Sequence, residues 1–162
     1  MRNPKSFAEK FNAEKTLEGQ PIEQIGGKFF LINQQLRCLI KGIGRRCSYA
    51  GIFLGKLKDG KFIPSFPLLF MIADKTKNKV FVNDKAAWLF ICGRDIFKEG
   101  IIQVEGSTRK GDYSIILNRY GECLGYGLIV QNPRKAEKGV VVKNILDLGD
   151  FLRRERRHTM QT

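Results

Sequence analysis

Four arginines crowd into five residues near the C-terminus, in the run Phe151-Leu152-Arg153-Arg154-Glu155-Arg156-Arg157. A guanidinium is a planar fork that can pair two phosphate oxygens at once, and its weakly hydrated face can stack on an unpaired base. On a helix, at about 100° per residue, Arg156, Arg153, Arg157 and Arg154 fall in that order within an arc of roughly 160°, with Glu155 on the far side. On an extended chain, alternation sends Arg154 and Arg156 one way and Arg153 and Arg157 the other, and the single face is lost. A solvated helix end carrying cations that favour the helix dipole explains the same run without a ligand.

Weaker candidates are spread along the chain. The loop Asn132-Pro133-Arg134-Lys135-Ala136-Glu137-Lys138 offers Arg134, Lys135 and Lys138 for phosphate contacts that position a nucleic acid without reading it, and a solvated loop fits it equally well. Gly42-Ile43-Gly44-Arg45-Arg46 matches neither a dinucleotide fingerprint nor a phosphate loop, because the preceding run is helical and the spacing differs; Arg45 and Arg46 remain as a second basic patch. Gly125 and Gly127 point to one side of a strand. A bend in a small barrel explains that pair better than close approach of a ligand.

Catalysis and metal binding find little support. Cys38, Cys47, Cys92 and Cys123 are widely spaced, His158 is the sole histidine, and no C-x-x-C pair occurs, so four buried or half-buried reduced thiols are expected and no metal site. Glu9, Glu14, Glu18, Glu23, Asp59 and Asp74 show no paired arrangement for acid-base work. Asp74 and Asp112 read as helix-end or turn carboxylates. The expectation is no catalytic residue, no cofactor and no small-molecule substrate.

With 29 Lys and Arg against 16 Asp and Glu, the 162-residue chain carries +13, enough to favour a polyanionic partner. The excess is shared, +7 over residues 1–76 and +6 over 77–162, so the folded body and not a tail is basic. The most apolar windows, Pro67–Ala73 and Ala86–Cys92, are too short to span a bilayer, which argues against a membrane partner. The start Met1-Arg2-Asn3-Pro4-Lys5 lacks the apolar core of a secretory signal, and an intracellular location is expected.

The elements that must position these residues follow from periodicity. Lys5–Lys15 reads as an amphipathic helix with Phe7 and Phe11 on one face, and Phe29–Ile32 as a strand after the Gly26-Gly27 turn. Gln34–Ile43 reads as a helix, and Ile52–Leu57 and Lys61–Ser65 as a hairpin about Asp59-Gly60. Pro67–Asp74 reads as a further helix. Polar Lys75–Asn78 is the expected seam, too short to let the halves tumble freely. Beyond it lie Lys79–Val82, a helix-like segment at Trp88, and β-type runs Ile101–Glu105, Tyr113–Arg119, Glu122–Gln131 and Val140–Ile145. Their spacing fits a small barrel.

This order of elements, with Gly93-Arg94-Asp95-Ile96-Phe97, Gly125-Tyr126-Gly127 and Asp147-Leu148-Gly149-Asp150, resembles the PUA domain, a small RNA-binding barrel. The lead-in Ser48–Phe66 and Lys79-Val80-Phe81-Val82 resemble the region before the PUA domain in Nip7-like ribosome biogenesis proteins. That resemblance implies an α+β chain: a small N-terminal α/β domain with a mainly antiparallel sheet (1–76), a PUA-type β-barrel (77–157) and a short tail (158–162). It also implies a non-catalytic RNA-binding factor of large-subunit assembly, working in the cytoplasm or, in a eukaryote, the nucleolus or nucleus. RNA would be held at the basic end of the barrel by Arg153, Arg154, Arg156 and Arg157, with ribosome-assembly proteins met by the N-terminal domain. Two alternatives stay open. One is an RNA-modification enzyme or its accessory subunit, for which residues 1–76 are too few to hold a catalytic domain. The other is a protein-interaction adaptor using Phe62–Pro67 and Tyr49–Leu54, segments that serve equally as core.

Overall fold

The structure is a computed structural model that describes residues 2–43, 48–150 and 153. The chain divides into two compact units, one ending at Lys75 and the other beginning at Thr76.

In the first unit, the single helix expected over Lys5–Lys15 is three separate pieces: α1 (Pro4–Ala8), then 3-10 turns at Glu9–Phe11 and Glu14–Leu17. Asn12 takes a left-handed backbone (φ 52°) and breaks the run, although Phe7 and Phe11 are fully buried as the periodicity requires. β1 (Ile22–Ile25) and β2 (Lys28–Leu31) form a hairpin across Gly26-Gly27. The sequence pattern predicts β2 and not its hairpin partner β1. α2 (Gln34–Gly42) leads to β3 (Ile52–Lys58) and β4 (Lys61–Pro64), and α3 (Phe66–Lys75) closes the unit. The four strands lie in the order β1-β2-β3-β4, all antiparallel. Asp59 and Gly60, both at positive φ (49° and 72°), make the tight β3–β4 turn that their types favour. Phe7 packs on Phe11 and Phe62 at ring distances of 5.2 and 5.7 Å, joining the N-terminal turns to β4.

The second unit runs β5 (Lys79–Val82), α4 (Asp84–Ile91), β6 (Ile96–Phe97), β7 (Ile101–Glu105), β8 (Tyr113–Leu117), β9 (Cys123–Ile129) and β10 (Val140–Asp147). Its sheet has the order β6-β10-β9-β8-β5-β7, with β5 and β8 parallel and the other pairs antiparallel. Val80, Val82, Phe90, Ile96, Ile116, Val141 and Val142 form its core, so α4 packs its Ala86/Phe90 face inward. Asn83 caps α4, its Oδ1 accepting from the Ala86 N–H at 2.9 Å, as Asn33 does for α2 through Leu36 at 2.8 Å.

The thiols differ from expectation. Cys38 and Cys92 are exposed, Cys123 is buried, and Cys47 lies outside the described residues. Position decides this, not residue type: Cys38 lies on the surface of α2 and Cys92 just past the end of α4. Burial pushes the Cys123 thiol up to about 11, partly offset by its contact with the Gly125 carbonyl. Because the thiolate is the nucleophile, Cys123 is expected to resist alkylation at pH 8 in the native protein while Cys38 and Cys92 react, and to react once urea unfolds the chain. Peptide mapping of the label checks this; native labelling of Cys123 at the rate of Cys92 would contradict it.

Candidate nucleic-acid interface

Successive loops of the second unit alternate between the two ends of its sheet. Residues 106–112 and 131–139 lie at the end where β10 begins, while residues 118–122 and the segment after Asp147 lie at the end where it finishes. Of the cations proposed from sequence, Arg153 therefore falls at one end and Arg134, Lys135 and Lys138 at the other.

At the far end of β10, the backbone is helical at residues 148–150 and at Arg153. Arg153 is held by the fold: Nη2 donates to both carboxylate oxygens of Asp147 at 3.0 Å, and Nη1 donates to the Ile91 carbonyl at 2.8 Å. The pair is asymmetric, since the Asp147 side chain is 4% exposed and that of Arg153 is 44% exposed. Asp147 also accepts from the Asp150 N–H at 2.8 Å and from Asn144 Nδ2 at 3.3 Å. Asn144 Nδ2 lies 2.8 Å from the Phe90 carbonyl, and Asp95 Oδ1 accepts from the Asn144 N–H at 2.8 Å. The last carbonyls of α4, which lack partners within the helix, are thus met by Asn144 and by a cation that suits the helix dipole. Arg153 is a clamp between the C-terminal segment and α4, a role that spacing alone did not reveal. Arg154, Arg156 and Arg157 lie outside the described residues, as do Arg45 and Arg46. Gly149 stands against this clamp, where a Cβ would collide with the Ile91 carbonyl.

The other end is built from two loops stitched together. The Gly111 N–H donates to the Ile129 carbonyl at 2.8 Å and Asn132 Nδ2 to Thr108 Oγ1 at 3.3 Å, while the Ser107 N–H donates to Asn78 Oδ1 at 3.0 Å. Lys98 Nζ donates to the Pro133 carbonyl at 2.6 Å, and Arg134 Nη2 donates to the Val104 carbonyl at 3.3 Å. Arg134 is therefore partly occupied as a staple. Lys135 and Lys138 are exposed, and so are Arg109 and Lys110 in the neighbouring loop. Sequence reasoning missed the last two. The alternation of hairpin loops was the available signal, because it brings every second loop to the same end.

The Gly125/Gly127 side of β9 is filled by the protein itself. A Cβ on Gly125 would strike the Leu146 carbonyl, and one on Gly127 the side chain of Val142 and the Lys143 carbonyl. The glycines let β10 lie close on β9 and leave no room there for a nucleotide. A cavity of about 350 Å³ at the start of α4 is lined by Leu89, Phe97, Lys85, Asp95 and Glu99 among others, and its carboxylates disfavour phosphate. Among the described residues, no cluster of His, Cys, Asp and Glu could hold a metal ion, and no helix is long and apolar enough to cross a membrane.

Comparison with known proteins agrees with this architecture. Residues 78–156 match the family model described as the UPF0113 PUA domain. A UPF0113 protein of Archaeoglobus fulgidus is 32% identical over 114 residues, covering 67% of this chain; the match spans 63% of that relative's length. A 60S ribosome subunit biogenesis protein NIP7 homolog of Tetraodon nigroviridis is 23% identical over 134 residues, 79% of this chain and 74% of the relative. The solved structure of a conserved PUA domain protein from Thermoplasma acidophilum shares the fold, with a TM-score of 0.56 at 18% identity over 94% of this chain and 95% of that one. The matched span runs from β5 onward, with the α4 corner and both loop ends inside it, and the second unit of this α+β chain is accordingly a PUA domain similar to that of UPF0113 proteins.

Proposed function

We propose that this protein is a non-catalytic RNA-binding factor of large ribosomal subunit assembly. The UPF0113 PUA match over residues 78–156 is the observation that carries the reading. Similarity to a protein named for 60S subunit biogenesis supports the assembly role, and a charge of +13 suits a polyanionic partner. Arg154, Arg156 and Arg157 are the proposed phosphate contacts. Arg153, the residue before them, is pinned to Asp147 and Ile91. Binding is then mainly electrostatic with modest sequence preference, and the N-terminal unit is left for assembly-protein partners.

Fluorescence anisotropy of the full chain with single-stranded ribosomal RNA fragments tests this. Three to five phosphate contacts at roughly 0.7 each give an expected slope of log affinity on log salt of about −2 to −4. A flat salt response would sink the electrostatic reading. R154A/R156A/R157A should weaken binding by about tenfold or more, and more than K56A/K58A/K61A, which removes as many charges from the exposed β3–β4 turn. Equal losses would mean that net charge alone matters, and a loss confined to the Lys variant would move the surface to the first unit. Nucleoside analysis of the RNA after incubation should find no modified base; finding one would favour the enzyme alternative.

A further inference from the structure

Cations and carboxylates are divided unevenly between the two ends of the PUA sheet. At the end where β10 finishes, Asp147 neutralises Arg153 and Asp84 neutralises Arg119, at 3.0 and 3.1 Å. At the end where β10 begins, residues 106–112 and 131–139 contain Arg109, Lys110, Arg134, Lys135 and Lys138 against two acids, Asp112 and Glu137. Asp112 is engaged by Ser107 and by Arg109 at 3.3 Å, and 86% of the Arg109 side chain still faces solvent. Lys110, Lys135 and Lys138 are exposed and have no carboxylate partner among the described residues. The loops that carry them are tied down by the Asn132–Thr108, Lys98–Pro133 and Asn78–Ser107 bonds, which lowers the ordering cost of binding an anion there.

We infer that this rim is a second phosphate-contact surface, so that one RNA strand is held at both ends of the barrel. The inference rests on the RNA-binding reading and adds a length requirement to it. The eight residues of β10 connect the two ends, and at about 3.3 Å per residue they set them about 25 Å apart. A stacked strand with one phosphate per roughly 3.4 Å covers that span with about seven nucleotides. Shorter RNA reaches one end at a time, and longer RNA gains both.

The test compares fluorescein-labelled oligoadenylates of 5 and 15 nucleotides on the full-length protein. The variant K110A/K135A/K138A removes cations whose side chains hold nothing in the fold, and a thermal melt confirms its folding. On the 15-mer it should lose tenfold or more in affinity at 0.1 M salt, and its salt slope should shrink by about 2, the worth of three contacts at roughly 0.7 each. On the 5-mer the loss should be about twofold, because the other end still binds. K56A/K58A/K61A, which removes the same charge from the first unit, should leave the 15-mer slope within 0.5 of the parent, less than one contact. Unchanged 15-mer binding in the rim variant, equal losses in the two variants, or equal losses on the two lengths would overturn the two-ended surface while the RNA-binding reading stands. Failure of the parent protein to bind either RNA would remove both.

Discussion

Asp147→Ala is expected to destabilise the PUA domain by about 2–3 kcal/mol, below the usual 3–5 for breaking a buried pair because Arg153 is half exposed and water screens it. The carboxylate is the convergence point of Arg153, the Asp150 N–H and Asn144, so its removal takes an acceptor from each, although Arg153 and Asn144 keep the Ile91 and Phe90 carbonyls. For a domain of this size the melting temperature should fall by roughly 10–20 °C. Arg153→Ala should cost about half as much, since the buried carboxylate keeps its other two donors. Urea melts followed by circular dichroism measure both. RNA binding supplies the sharper readout. Asp147→Ala raises the net charge by one, which by charge alone strengthens binding to a polyanion, whereas loss of the Arg153 anchor, on the function proposed above, weakens it. A tighter complex in this variant would refute the positioning role of Arg153.

Gly125→Val is expected to cost about 3 kcal/mol or more and to loosen the β9–β10 pair. Two effects combine there. The backbone sits at φ +145°, which L side chains rarely adopt, and the Leu146 carbonyl occupies the place a Cβ would need. Relaxing the clash means shifting β10, whose end carries Asp147 and hence the Arg153 clamp, so amides of both strands should lose hydrogen-exchange protection together. Gly42→Ala is the matched control: nothing lies within 4 Å of its Cβ position, and its effect should stay within about 1 kcal/mol. Similar losses at the two glycines would mean that the close β9–β10 approach is not what Gly125 is for.

Local pattern carried much of the fold. Ile101–Glu105 and the hairpin about Asp59-Gly60 were legible because alternation and turn chemistry act over a few residues, and α2 and α3 because their apolar spacing is helical. β1 escaped notice because a four-residue edge strand, Ile-Glu-Gln-Ile, holds too few apolar residues to show a period and is defined by pairing with β2. The Lys5–Lys15 helix was overextended for a related reason. Phe7 and Phe11 keep helical spacing, yet both are buried through two short turns, and Asn12 supplies a break that apolar periodicity does not register.

For the interface, the sequence by itself determined sign and residue type: a basic body, guanidiniums near the C-terminus, lysines in loops, and PUA-like order. Only the tertiary structure decided which cations are available. Arg153 and Arg134 look like their neighbours in sequence, but one meets a carboxylate six residues earlier and a helix end 62 residues away, and the other a carbonyl 30 residues away. Arg109 and Lys110 join Lys135 and Lys138 because antiparallel pairing of β8 with β9 folds their loops to one end. Charge is a property of each residue and can be counted along the chain; whether it is neutralised, and what stands beside it, depends on contacts between distant segments that exist only once the chain has folded.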